Sequence, residues 1–190
     1  QKVFGKEFGG TLYTIAKDVK VQVEFNPKKV QAYRLIGYEN RLLADEDFID
    51  DTKDAGELGS GHTVTALYEV IPVGIKSNYL KNSANLKYTK SEITNEYNDE
   101  LFTVKFRYKK PNGGQSIEMI HVQDTKISIA SEDMNFASAV ALMGMNLLQS
   151  QYDNGASIKD IIRLAKQGRG NDDDGYRAEF VRLVESYRSM

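Results

Sequence analysis

LFTVKFRYKKPNGGQSIEMIHV, Leu101 to Val122, decides the fold class. Phe102, Val104, Phe106 and Tyr108 alternate with Thr103, Lys105, Arg107 and Lys109. That period of two belongs to a strand, whose successive side chains point to opposite faces. Pro111-Asn112-Gly113-Gly114 supplies a turn and Ser116 to Val122 returns, so the segment reads as an antiparallel hairpin. The short basic pair Lys109-Lys110 flanks the turn and reads as solvated surface.

Toward the N-terminus the same period recurs. Val19, Val21, Val23 and Phe25 alternate with Lys20, Gln22 and Glu24, which implies one buried valine face and one wet face. Asn26-Pro27 ends this strand, because proline has no amide to give to a ladder. Val30 to Tyr38 reads as a second strand, and Val64 to Val70, stopped by Pro72, as a third. Lys76 to Glu100 is polar and too long for an ordinary connection, so it reads as an exposed excursion carrying Tyr79, Tyr88 and Tyr97.

Past residue 131 the period changes to that of a helix. Ser131 is placed to cap a helix running to Leu148, whose small residues Ala137, Ala139, Ala141 and Gly144 allow close packing. Ser157 and Asp160 form a capping pair ahead of Ile158, Ile161, Ile162 and Ala165. Gly168 and Gly170 stop that helix. Asp172-Asp173-Asp174 begins the last one, with an expected stripe of Tyr176, Phe180, Leu183, Val184 and Tyr187. Strands first and helices afterwards is the α+β pattern. The expected architecture is an antiparallel, β-sandwich-like body of about five to six strands at 18–130, with its excursion at 76–100. A bundle of about three helices at 131–190 follows and packs on it.

Composition narrows the function classes. The absence of cysteine removes thiol nucleophiles, disulfides and thiolate metal sites. The two histidines, His62 and His121, lie far apart with no HxH or HExxH spacing, and both read as structural. A formal net charge of −2 with scattered basic residues weighs against nucleic-acid binding. Met134 to Leu148 is broken by Asn135, Ser138 and Asn146 and falls short of the ~20 apolar residues of a membrane span. Gly59-Ser60-Gly61-His62-Thr63 lacks both the GxSxG elbow and a phosphate loop's GKS/T ending. Its glycines read as the entry to the strand at Thr63.

One segment keeps unexplained chemistry. Asp45, Glu46, Asp47, Asp50, Asp51, Asp54 and Glu57 crowd a glycine-hinged loop. Calcium takes six to eight oxygens, which makes Asp50, Asp51 and Asp54 weak candidate ligands, yet the EF-hand order of residues is absent. A solvated or partner-contacting loop is the preferred reading. Its contact candidates are Asp47, Asp50, Asp51, Lys53, Asp54, Glu57 and His62. No cofactor other than calcium is indicated.

Five segments carry a resemblance: RLIGYENR (Arg34 to Arg41), DDTKDAGELGSGHTVTALYEV (Asp50 to Val70), VKFRYK (Val104 to Lys109), FASAVALMGM (Phe136 to Met145) and GYRAEFVRLVE (Gly175 to Glu185). Together they resemble the carboxy-terminal region of bacterial von Willebrand factor type A domain proteins. The resemblance implies an upstream von Willebrand A domain in cis, with Gln1 to Lys17 as its helical tail and the following strand or linker. That domain's adhesion motif, DxSxS, does not occur in this sequence. Similar proteins are often exported, commonly as lipoproteins, which implies an extracytoplasmic envelope location. No catalytic residues transfer. The expected function is a non-enzymatic structural or protein-binding module. The rival expectations are a glycan-binding or hydrolytic β-sandwich and a calcium-stabilised adhesion module.

Overall fold

The computed structural model describes residues 13–37, 42–80 and 96–188. The chain divides into two compact units, residues 1–126 and 127–190. Among the described residues, the first unit holds β1 (Thr14–Phe25), β2 (Val30–Ile36), α1 (Asp45–Ile49), β3 (Gly56–Gly59), β4 (Leu67–Pro72), β5 (Glu100–Lys109) and β6 (Ile117–Asp124). The second holds α2 (Glu132–Leu147), α3 (Ile158–Gln167) and α4 (Tyr176–Arg188). The α+β order read from the sequence is the observed one.

Two antiparallel sheets build the first unit, a four-stranded one in the order β3-β1-β5-β6 and a two-stranded one of β2 and β4. The hairpin of β5 and β6 pairs Tyr108 with Ile117 and Phe102 with Gln123, as its alternation requires. The sheets meet through aromatic rings. Phe25 lies 4.7 Å from Tyr33, 5.5 Å from Tyr68 and 5.7 Å from Phe102 between ring centroids. Such ring pairs add to simple area burial because positive edges meet negative faces.

Asn26 fixes this corner. Its side-chain amide donates to the Tyr97 carbonyl at 2.9 Å and the Glu100 carbonyl at 2.8 Å, while its Oδ1 accepts from the Lys28 amide at 3.0 Å. The Asn-Pro pair therefore stops β1 and also fastens the turn to the start of β5.

β1 begins at Thr14, in the stretch expected to hold a strand or linker, and carries a bulge at Asp18 (φ 49). Three readings of this unit need correction. The acidic loop contains α1 and β3, and the third long strand begins at Leu67 instead of Val64. Lys20 is 3% exposed whereas Val21 is 52% exposed, which reverses the expected wet and buried faces at that point. The expected helical tail at residues 1–10, Tyr38 to Arg41 and most of the 76–100 excursion, Tyr88 included, lie outside the described residues.

In the second unit the caps fall where the sequence placed them. Ser131 Oγ accepts from the Met134 amide, and Ser157 and Asp160 form a reciprocal capping box. Asp172 receives the amides of Arg177 at 3.1 Å and Ala178 at 2.7 Å, which covers unpaired donors at the start of α4. Burial raises the Asp172 pKa, but these two amides together with the charges of Arg177 and Arg169 outweigh it and hold the carboxyl below its usual range.

The core is Ala139, Met143, Ile161, Ile162, Ala165, Val181 and Val184. A fully buried aliphatic side chain such as Ile161 contributes about 1.5–3 kcal/mol. The inward stripe of α4 runs through Phe180, Val181 and Val184, while Leu183 is 63% exposed. Phe180 and Val184 keep their expected places, and Val181 takes the inward position expected of Leu183.

Close backbone approach occurs at Gly168, not at Gly144. A Cβ on Gly144 would meet no described atom within 4 Å. A Cβ on Gly168 would stand 2.5 Å from the Glu132 carbonyl oxygen and 2.8 Å from Phe136 Cα. Arg177 locks the junction by donating to the Gly168 carbonyl at 2.7 Å and to Asp133, with its guanidinium 5.0 Å from the Phe136 ring centroid. Gly168→Ala must push α2 away from α3, and overpacking of this kind costs about 1–3 kcal/mol. Urea unfolding followed by circular dichroism should show that loss, whereas Gly144→Ala should leave the midpoint at or above the parental value.

Candidate functional site

The acidic segment from Asp45 to Asp54, ahead of edge strand β3, is held against one face of the larger sheet by three cations. The bulge at Asp18 decides which face. Lys17 opposes Lys109 and Lys20 opposes Arg107, so β1 advances three residues while β5 advances two. Without the extra residue Lys20 would fall on the face of Phe106. With it, Lys20, Arg107 and Lys109 share one face.

Lys20 Nζ donates to the main-chain carbonyls of Asp47 at 2.8 Å and Asp50 at 2.5 Å. These carbonyls belong to the C-terminal end of α1, where helix geometry leaves acceptors unpaired and favours a positive charge. Phe48, 6% exposed, is the apolar anchor of the same helix, and the Arg107 guanidinium lies 5.9 Å from its ring centroid.

The next turn is closed by side chains. Asp50 Oδ1 accepts from the Thr52 amide at 2.8 Å and the Thr52 hydroxyl at 2.7 Å, a local Asx arrangement. The Thr52 hydroxyl and then its amide hold the Asp50 carboxyl below its ordinary pKa. Asp51 Oδ1 accepts from Ser116 Oγ at 2.5 Å and Arg107 Nη2 at 2.9 Å. The Ser116 hydroxyl is the main cause of its lowered pKa, with Arg107 adding to it. Lys109 Nζ donates to the Asp51 carbonyl at 2.8 Å and to Asp18 Oδ2 at 2.7 Å. The Asp18 pair holds that carboxyl low and raises Lys109, which also feels the charges of Asp51 and Asp54.

Each residue singled out from the sequence now has a place. Asp47 faces Lys53 at 3.5 Å, and Glu57 accepts from Thr14 Oγ1 at 3.1 Å. Asp54 is exposed beside the Asp18–Lys109 pair. His62 is half-buried and gives its main-chain amide to the Gly59 carbonyl at 3.2 Å. Asp51 and Asp54 gather near Lys109, whereas Asp50 is turned into its own loop. Among the described residues no three histidine or acidic side chains converge in a metal-holding group.

The residues that organise the segment are the ones the sequence reading passed over: Asp18, Lys20, Arg107, Lys109 and Ser116. Lys109 is not solvated surface, since its side chain is 17% exposed and paired. The legible signal was the alternation that sets Lys105, Arg107 and Lys109 on one face of β5. The bulge that adds Lys20 to that face leaves no mark in the sequence.

The helical unit has a cleft of about 630 Å³ among Glu132, Lys166, Arg169, Asn171 and Arg182. Glu132 is its single acidic lining residue, and no histidine or hydroxyl side chain lines it. No helix among the described residues is long and apolar enough to cross a membrane.

The family model described as "Uncharacterized protein YfbK, C-terminal" matches residues 10–190. The chain belongs to that family. It is 43% identical over 187 residues to "Uncharacterized protein YfbK" of Escherichia coli (strain K12), an alignment covering 97% of this chain and 32% of that protein. The chain thus spans about a third of the relative's length. No solved structure matches it.

Two outcomes follow from the clamp. Lys20→Met keeps the apolar stem and removes the donors, so the Asp47 carbonyl loses its charged partner and the Asp50 carbonyl keeps only the Lys53 amide at 3.3 Å. A loss of about 1.5–3 kcal/mol is expected, the usual size for hydrogen bonds to a charged group. Faster amide exchange confined to residues 45–54 would place the loss at α1.

The second outcome concerns pH. Asp18 and Asp51 have folded pKa values below the ordinary 3.8. Their contribution is complete above that value and fades as pH falls through the lower folded values. Asp51→Asn should therefore lower the urea midpoint at pH 7, and its difference from the parent should shrink toward pH 3. A difference that stays constant across this range would contradict the assignment.

Proposed function

We propose that this chain is a non-enzymatic protein-binding and domain-supporting module, accompanying a von Willebrand A domain in a bacterial envelope protein. One observation carries the reading. The acidic segment is anchored from beneath by Phe48 and Lys20, yet Leu42 is 67% and Ile49 68% exposed beside the exposed acids Asp45 and Glu46. Isolated exposed apolar residues are ordinary, but apolar and acidic groups on a stiffened segment are suited to contact. A complementary partner would be apolar with basic flanks.

Further support comes from the relative, two thirds of which lies outside the matched region and has room for another domain. The five-segment resemblance described above gives that domain its expected type and the protein its expected envelope location.

The test compares unfolding of this region alone and within the intact protein. The rest of the protein should raise its unfolding midpoint, and Leu42→Asp with Ile49→Asp should remove that gain without changing the isolated region. An intact protein that gives no stabilisation, or one indifferent to both substitutions, would refute the reading.

A further inference from the structure

We propose that β6 is a dimerisation edge, at which two copies of this chain join their four-stranded sheets by antiparallel β6–β6 pairing. Among the described residues β6 bonds only to β5, so its other side presents unpaired backbone groups. Such an edge is a template for another strand unless it is blunted by shortness, proline, lysine or a bulge. β6 has eight residues, IEMIHVQD, with neither proline nor lysine, and its register with β5 is unbroken from Ile117 to Gln123. Met119 is 57%, Ile120 59% and Val122 47% exposed, which places apolar side chains on both faces of the strand. The opposite edge is protected. There β3 is only four residues long and lies between Gly56 and Gly59.

Self-complementarity selects a second copy as the occupant. A two-fold axis through the sheet keeps each face on its own side, so opposed residues must share a face. Centring the pair on His121 would set Glu118 against Asp124, and like charges directly opposite repel. Centring it on Ile120 sets Ile120 against its counterpart, Met119 against His121 and Glu118 against Val122. No two carboxylates then face each other, and Ile120 and Val122 of both copies form one continuous apolar row. The interface is isologous and closes at two copies.

The chain has no cysteine, so a single introduced thiol reports the register cleanly. Analytical ultracentrifugation of the full chain at about 50 μM should show a dimer that dissociates on dilution. Ile120→Lys should give a monomer, and so should Ile120→Glu, whose carboxylate faces Lys105 across β5 and so spares the fold. Ile120→Cys should oxidise to a linked dimer at least about tenfold faster than Leu183→Cys, placed at a residue 63% exposed in the helical unit. A monomer at all concentrations, a dimer indifferent to Ile120→Lys, or equal linkage by both thiols would overturn the proposal.

Discussion

The ammonium of Lys20 against the carbonyls of α1 is the interaction on which the first unit depends. A buried lysine is costly unless its charge is met by polar partners, and Lys20 is 3% exposed in the middle of the central strand. Its partners exist only because a five-residue helix ends directly above it. That helix is too short to persist alone, since nucleation consumes most of what one turn returns. Each element therefore supplies what the other lacks. The bulge at Asp18 is the device that brings them together, because it moves Lys20 onto the face where Arg107 and Lys109 already stand.

Regular structure was legible wherever one local rule operated. The β5–β6 hairpin, the Ser157–Asp160 capping box and the Asp172 cap each follow from residues a few positions apart. Misreadings arose where a distant element chose the face. Alternation in β1 correctly announced a strand but assigned Lys20 to water, because nothing in the local pattern reveals that α1 covers that side. Leu183 and Val181 are equally apolar, and only the position of α3 decides that the valine turns inward. Gly168 was read as a helix stop. Its larger role, clearance for the backbone of α2, involves residues more than thirty positions away. The acidic segment was recognised as unusual, and its cations were missed for the same reason.

The charges of that segment divide into two sets with different physics. Asp18 and Lys109 are about a fifth exposed and share a bond of 2.7 Å, and Asp51 is held by both a guanidinium and a hydroxyl. The Asp18–Lys109 pair is screened less than free surface pairs, which typically contribute about 0–1 kcal/mol, whereas Asp51 is 44% exposed. Asp45 and Glu46 belong to the other set, at the start of α1 and exposed to solvent. A loop built for a divalent ion turns its carboxylates inward to a common centre. Here the inward carboxylates face lysine and arginine, and the outward ones stand beside Leu42, Leu43 and Ile49 on the surface. That division is the basis of the proposed contact role. The protein's own cations neutralise the acids that fix the segment in place, and the acids left at the surface are the ones the proposed partner contact would use.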